Sequence, residues 1–159
     1  MRLKAVPPPP PSLDALPAIA EAAPLVPKPR EAVRRTLVER VEWVSTRESE
    51  AWVALAVTLG LLRESETGLY RPRERVPVEK LRERLVEGVY GIEEVERALR
   101  EDGPLTVTSL AERVPIPPWE RRRHADPEAV HVERIERSVG WLDLCGSVVY
   151  GGEAYHLTV

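Results

Sequence analysis

From Glu31 onward, apolar residues recur at intervals of three and four, at Val33, Leu37, Val41 and Val44. This spacing predicts a helix that starts just after Pro29 and carries one apolar stripe. Ser45 and Glu48 then form an S-x-x-E capping box, in which hydroxyl and carboxylate satisfy the unpaired amides of a new helix. That helix is expected to run to about Leu59 and to stop at Gly60. Leu61, Leu62 and Arg63, a polar turn of Glu64 to Gly68, and Leu69, Tyr70 and Arg71 before Pro72 predict an antiparallel hairpin.

A second series opens near Val78. Leu81, Leu85 and Val89 keep helical spacing, Tyr90 and Gly91 break it, and Ile92, Val95 and Leu99 carry a further helix to Gly103. Pro104 to Val107 suits a short strand and Thr108 to Val114 a short helix. Prolines 115, 117 and 118 interrupt that helix. Asp126 as N-cap and Pro127 at the first helical position then start the strongest helix of the chain, with Val132, Ile135, Val139 and Leu142 as its seam. Gly146 ends it, Ser147 to Tyr150 reads as a strand, Gly151 and Gly152 as a tight turn, and Ala154 to Val159 as the returning strand.

The two series share an ending: helix, glycine stop, apolar strand, Gly-containing turn, and a strand with an aromatic residue. Aligning Gly60 with Gly146 brings Tyr70 and Tyr155 into register to within a residue. This order, and the L-G-L-L-R-E step at Leu59 to Glu64, resembles the winged-helix branch of the helix-turn-helix class, and the chain is similar to small archaeal-type tandem winged-helix proteins. The resemblance covers about residues 31 to 159. It is more complete in the second half, where the insertion from Pro115 to Pro127 replaces the usual turn between the last two helices. It implies a mainly α fold with short β-hairpins (α+β), made of two tandem winged-helix-like units behind a proline-rich N-terminal arm: residues 1–29 for the arm, 30–77 for unit one and 78–159 for unit two.

Nine of the 16 prolines fall between Pro7 and Pro29. A stiff polyproline II arm there gives way to Leu13, Leu16, Ile19, Leu25 and Val26, so the arm is expected to lie against the body. Lys4, Pro7 and Pro10 also spell K-x-x-P-x-x-P, which aromatic grooves of SH3 type read; a plain spacer is the competing reading.

With 159 residues, 43% hydrophobic and 31% charged, the chain has the composition of a folded globular protein. Its net charge of -3 gives no overall positive field to steer it onto nucleic acid or an anionic membrane, so any such contact must be local. The single cysteine, Cys145, excludes an internal disulfide framework and fits a reducing, cytoplasmic setting. Five consecutive prolines stand where a signal peptide would need apolar residues, and the apolar run Ala51 to Leu62 is well short of the roughly 20 residues of a membrane span.

In proteins of this resemblance the helix before the wing enters the major groove and needs exposed donors. Ala51 to Leu59 is apolar on every side except at Thr58, which predicts a helix buried all round. The helix from Glu128 to Cys145 sums to -2. Positive charge collects instead at Arg71, Arg73, Arg75, Lys80, Arg82 and Arg84, and at Arg121, Arg122 and Arg123 beside Trp119. These are the candidate nucleic-acid or partner contacts, able to meet phosphates without reading bases. A solvated face with ion pairs Glu79 to Arg82 or Lys80 to Glu83 is the competing reading of the first group. Trp43, Trp52 and Trp141 are expected in the core, while Trp119 either anchors a partner or pins the proline insertion to the body.

His124, His131, Cys145 and His156 do not stand at metal-ligand spacing, and Cys145 reads as a small buried residue beside Asp143. Gly151 and Gly152 lie between strands rather than before a helix, so they form no phosphate loop. The expectation is therefore a non-enzymatic regulator or adaptor with no cofactor, no metal and no small-molecule substrate. Its partner is DNA, contacted through the backbone, or alternatively a protein on a scaffold that binds no nucleic acid.

Overall fold

The computed structural model describes residues 2–158. Helices α1 (Pro17–Ala22), α2 (Arg30–Arg40) and α3 (Ser49–Leu59) precede a hairpin of β1 (Arg63–Ser65) and β2 (Gly68–Tyr70). Helices α4 (Val78–Gly88), α5 (Ile92–Asp102), α6 (Val107–Arg113), α7 (Pro118–Arg123) and α8 (Pro127–Leu144) precede a second hairpin of β3 (Val148–Tyr150) and β4 (Tyr155–Leu157). The fold is α+β, as the pattern implies. Val159, read as the end of the last strand, and Met1 lie outside the described residues.

The repeat extends further than the sequence suggests. In the first half Lys28 bridges Leu69 of β2 through Lys28 N–H to Leu69 O (3.0 Å) and Leu69 N–H to Lys28 O (2.8 Å). In the second half Leu105 bridges Tyr155 of β4 in the same way, at 2.9 and 2.8 Å. Each half thus runs helix, bridging residue, helix, helix, hairpin, with α1 and α5 as the opening helices and α7 as an extra helix between the last two of the second half. The strand expected over Pro104 to Val107 reduces to the single bridge at Leu105, because Thr106 caps α6 by accepting from Ser109 N–H. Gly68 has φ +140° and lies so close to Lys28 that a Cβ would stand 2.0 Å from the Lys28 carbonyl oxygen, so this crossing needs glycine.

Three expectations shift in detail. Helix α2 stops at Arg40, and Trp43 lies in the following turn, although Val41 and Val44 are buried. Ser45 Oγ does accept from Glu48 N–H (3.2 Å), but α3 starts at Ser49 and the Glu48 carboxylate turns to Arg137 rather than back to the serine amide. The proline insertion contains a helix of its own, α7, with Pro118 at its first position.

The segment read as an arm is a strap built into the body. Leu3 pairs in parallel with Val89, Leu3 N–H donating to Gly88 O and Tyr90 N–H to Leu3 O, both at 2.7 Å. Arg137 donates to Val6 O (3.1 Å) and the Trp141 indole N–H to Pro7 O (2.8 Å). Pro7 and Pro10 are buried, so the K-x-x-P-x-x-P pattern is not presented to an SH3-type groove. Further on, Leu16 and Ile19 are fully buried. Trp52 of α3 meets Trp43 edge-on at 4.7 Å and Trp141 of α8 at 5.7 Å, which joins the aromatic cores of the two halves.

Candidate functional site

The helix that precedes each hairpin is the one on which DNA reading would depend. In the first half this is α3, and none of residues 51–60 is exposed. Helix α4 packs across it: a Cβ at Gly88 would stand 2.3 Å from Thr58 Cγ2, and Arg84 donates to Leu59 O (2.8 Å), satisfying a carbonyl at the end of α3. The burial predicted from its apolar circumference is therefore observed, and α4 is what supplies it.

In the second half the helix is α8. Its buried side carries Ile135, Ser138, Val139, Trp141 and Leu142. Glu128, Glu133, Glu136 and Asp143 are exposed. Both arginines of this helix are turned inward. Arg134 pairs with the buried Glu120 of α7, and Arg137 with Glu48 at 2.9 Å and with Glu133 at 3.0 Å. Arg134 is thus committed to an internal contact, while Arg137 is shared between Glu48 in the interior and the exposed Glu133.

The linker arginines divide in the same way. Arg82 forms a forked pair with the buried Glu96 of α5, both contacts at 3.1 Å, and also donates to Ser147 Oγ (2.5 Å). It therefore does not pair with Glu79. Lys80 does meet Glu83 (3.4 Å), and Arg75 lies 3.7 Å from Glu21. Arg71 is half-buried, its backbone N–H donating to Pro24 O (2.7 Å), and its Nε has no hydrogen-bond partner among the described residues. Arg73 is exposed, with no ion pair among the described residues. Arg71, Arg73 and Arg75 border a cleft of about 420 Å³ whose other walls include Pro17, Leu25 and Val76.

In the insertion Arg121, Arg122 and Arg123 are exposed, and Arg121 lies 3.7 Å from Glu128. Trp119 is half-buried. It stands edge-on to Tyr90 at 5.3 Å, and the Lys4 ammonium lies 5.3 Å from its ring centroid. These contacts pin α7 to the strap and to the start of α5. The structure does not bring the two basic groups together: Arg82 and Arg84 brace α5 and α3, while the arginine triplet sits at the end of α7.

Two residues that organise this surface escaped the sequence reading. Glu96 lies on the seam of Ile92 and Leu99, four residues after one and three before the other, and a carboxylate there must be paired. Glu120 is the acid inside W-E-R-R-R and is buried against Arg134; the His124 ring nitrogen stands 2.7 Å from its carboxylate without hydrogen-bond alignment.

Among the described residues no group of three or more His, Cys, Asp or Glu converges to hold a metal ion, and no helix is long and apolar enough to cross a membrane. His131 is buried with its Nε2 2.7 Å from Val114 O, and burial raises the Cys145 thiol above its ordinary pKa, opposed by Arg82. Among the described residues neither side chain is hydrogen-bonded to a second side chain as a nucleophile–base pair would be.

A family model described as the halobacterial double winged helix domain matches residues 1–158. No curated protein and no solved structure matches the chain.

Proposed function

Because the chain belongs to the halobacterial double winged helix domain family, whose fold supports a regulatory role, we propose that it is a non-enzymatic adaptor that engages protein rather than reading DNA. The observation that carries this reading is the state of α8: of its four exposed carboxylates, Glu136 and Asp143 have no ion pair among the described residues, while Arg134 is turned inward to Glu120 and Arg137 is held between Glu48 and Glu133. A phosphate backbone brought to that face meets like charge, whereas DNA-binding proteins gain affinity by replacing counterions with Lys and Arg. Helix α3 supports the same reading, since α4 lies where a groove would have to enter.

On this reading the first unit begins near Leu13 rather than at residue 30, because α1 and Lys28 complete its order of elements. Helix α4 is then the connector and the lid of α3. Arg73, Arg84, Arg122 and Arg123 are the site cations left exposed without an ion pair among the described residues, and Arg84 is turned to the Leu59 carbonyl, which leaves few free cations for a groove-tracking stripe.

Titration of a fluorescently labelled duplex with the full chain at low salt tests the proposal. The expected result is no saturable rise in anisotropy. A rise that collapses as salt is added would show phosphate binding and overturn it.

A further inference from the structure

The two hairpins differ at their outer edges, and the difference points to a ligand. In each unit the second strand is central, with the bridging residue on one side and the first strand on the other, so β1 and β3 are the free edges. Natural edge strands are kept from pairing with other chains by charge, and β1 follows that rule: Arg63, Glu64 and Ser65 are all exposed. Strand β3 does not. It reads Val148, Val149, Tyr150, and Val149 and Tyr150 are among the large apolar side chains left exposed, at 42% and 53%.

The backbone of β3 has open positions as well. Thr158 N–H donates to Ser147 O (3.0 Å) and Gly151 N–H to Ala154 O (2.8 Å), so positions 147, 149 and 151 face β4. By antiparallel alternation Val148 and Tyr150 aim their N–H and C=O groups outward, where a further strand would accept and donate. The side chains beside this edge set the charge of what can bind. Tyr150 stacks on Tyr155 at 4.8 Å. Helix α8 packs against β3, which sets the exposed acids of its C-terminal half, Glu136 and Asp143, on the element beside the hairpin; burial raises the Tyr155 hydroxyl above its ordinary pKa, and Tyr150, Asp143 and Glu136 add to that rise.

We infer that β3 is a docking edge for an extended, basic segment of a protein partner, which adds a strand beside Val148 to Tyr150 and sets its cations against Glu136 and Asp143. Charge complementarity selects this occupant over a second copy of the chain, since pairing β3 with its own copy would bring two acidic α8 faces towards one another. The inference rests on the adaptor reading and names the partner chemistry of the same face. Main-chain hydrogen bonds supply affinity in this mode, and the alternate side chains and the acids supply selectivity.

The test uses the full chain and a fluorescein-labelled peptide of alternating arginine with valine and tyrosine, beside the same peptide with glutamate for arginine. The cationic peptide is expected to bind saturably and to slow amide exchange at Val148 and Tyr150 but not in β1. The glutamate peptide is expected not to bind. The double variant Glu136→Gln/Asp143→Asn should weaken the cationic peptide about tenfold. Val149→Lys, a charged edge like that of β1, should abolish binding with the thermal midpoint unchanged. Equal binding of both peptides, binding that leaves the β3 amides unprotected, or a free chain that is already dimeric through β3 would each overturn the inference. The duplex titration does not depend on β3, so failure here and failure of the adaptor reading are separately visible.

Discussion

Glu48, one residue before α3, and Arg137, in the middle of α8, are 2.9 Å apart and tie the first half of the chain to the second. Both side chains are largely buried, and Arg137 also donates to Val6 O of the strap. An arginine that could have served only the exposed face of α8 is thereby shared between Glu133 on that face and Glu48 and Val6 inside. A double-mutant cycle with Glu48→Ala and Arg137→Ala, read by urea denaturation, should give a coupling of about 1 kcal/mol. Arg137→Ala alone should cost more than Glu48→Ala, because it also strands the Val6 carbonyl.

Arg82 is a bracing residue in this structure, with Glu96 buried beneath it. Removing Arg82 leaves that carboxylate without its cation, so Arg82→Ala should destabilise the fold by about 1–3 kcal/mol. Adding Glu96→Leu should recover most of the loss, since the unpaired charge is then gone. Thermal unfolding of the wild type and these two variants reads this directly, and a neutral Arg82→Ala would show that the pair holds nothing together.

The crossing of Gly68 and Lys28 is the tightest in the first hairpin. Gly68→Ala meets both an unfavourable φ and the Lys28 carbonyl, and should cost more than about 1 kcal/mol. Loss of protection at the Leu69 amide, which donates to Lys28 O, is the local signature to look for by hydrogen exchange.

Acid should release the start of the strap. Burial opposes ionisation of Glu94, but the hydrogen bonds from Arg2 and from the Gly91 amide win and hold its carboxyl below the ordinary value. For a lowered folded pKa the stabilisation is present above the unfolded value of about 4.3 and is lost as pH falls through the folded one. Arg2→Ala should therefore lower the thermal midpoint more at neutral pH than in strong acid, where only its contacts with Val89 O and the Tyr90 ring remain to be lost. An effect of Arg2→Ala that is independent of pH would exclude the pair as its cause.

The elements legible in the sequence were those set by local rules. Val33 and Leu37 fixed the stripe of α2, Gly60 the end of α3, and Asp126 with Pro127 the start of α8, because periodicity and caps act within a few residues. The apolar circumference of α3 also announced its burial, although nothing local named α4 as its cover. What could not be read was long-range. The bridge of Lys28 to Leu69 ties the segment after α1 to the first hairpin, and it depends on a contact across 41 positions, inside a segment whose prolines signalled an extended arm. The inward turn of Arg134 and Arg137 was hidden for the same reason, since its partners Glu120, Glu48 and Val6 lie on other elements. Glu96 was missed although its signal was local, a carboxylate on the apolar seam of Ile92 and Leu99.

The central claim is that the exposed face of α8 repels DNA, and residue-resolved NMR tests it most directly. With nitrogen-15-labelled chain titrated with duplex DNA at low salt, the amides of Glu133, Glu136 and Asp143 should not shift at any ratio. Progressive, saturable shifts of those amides that reverse on adding salt would show that α8 faces the duplex, and would contradict the account.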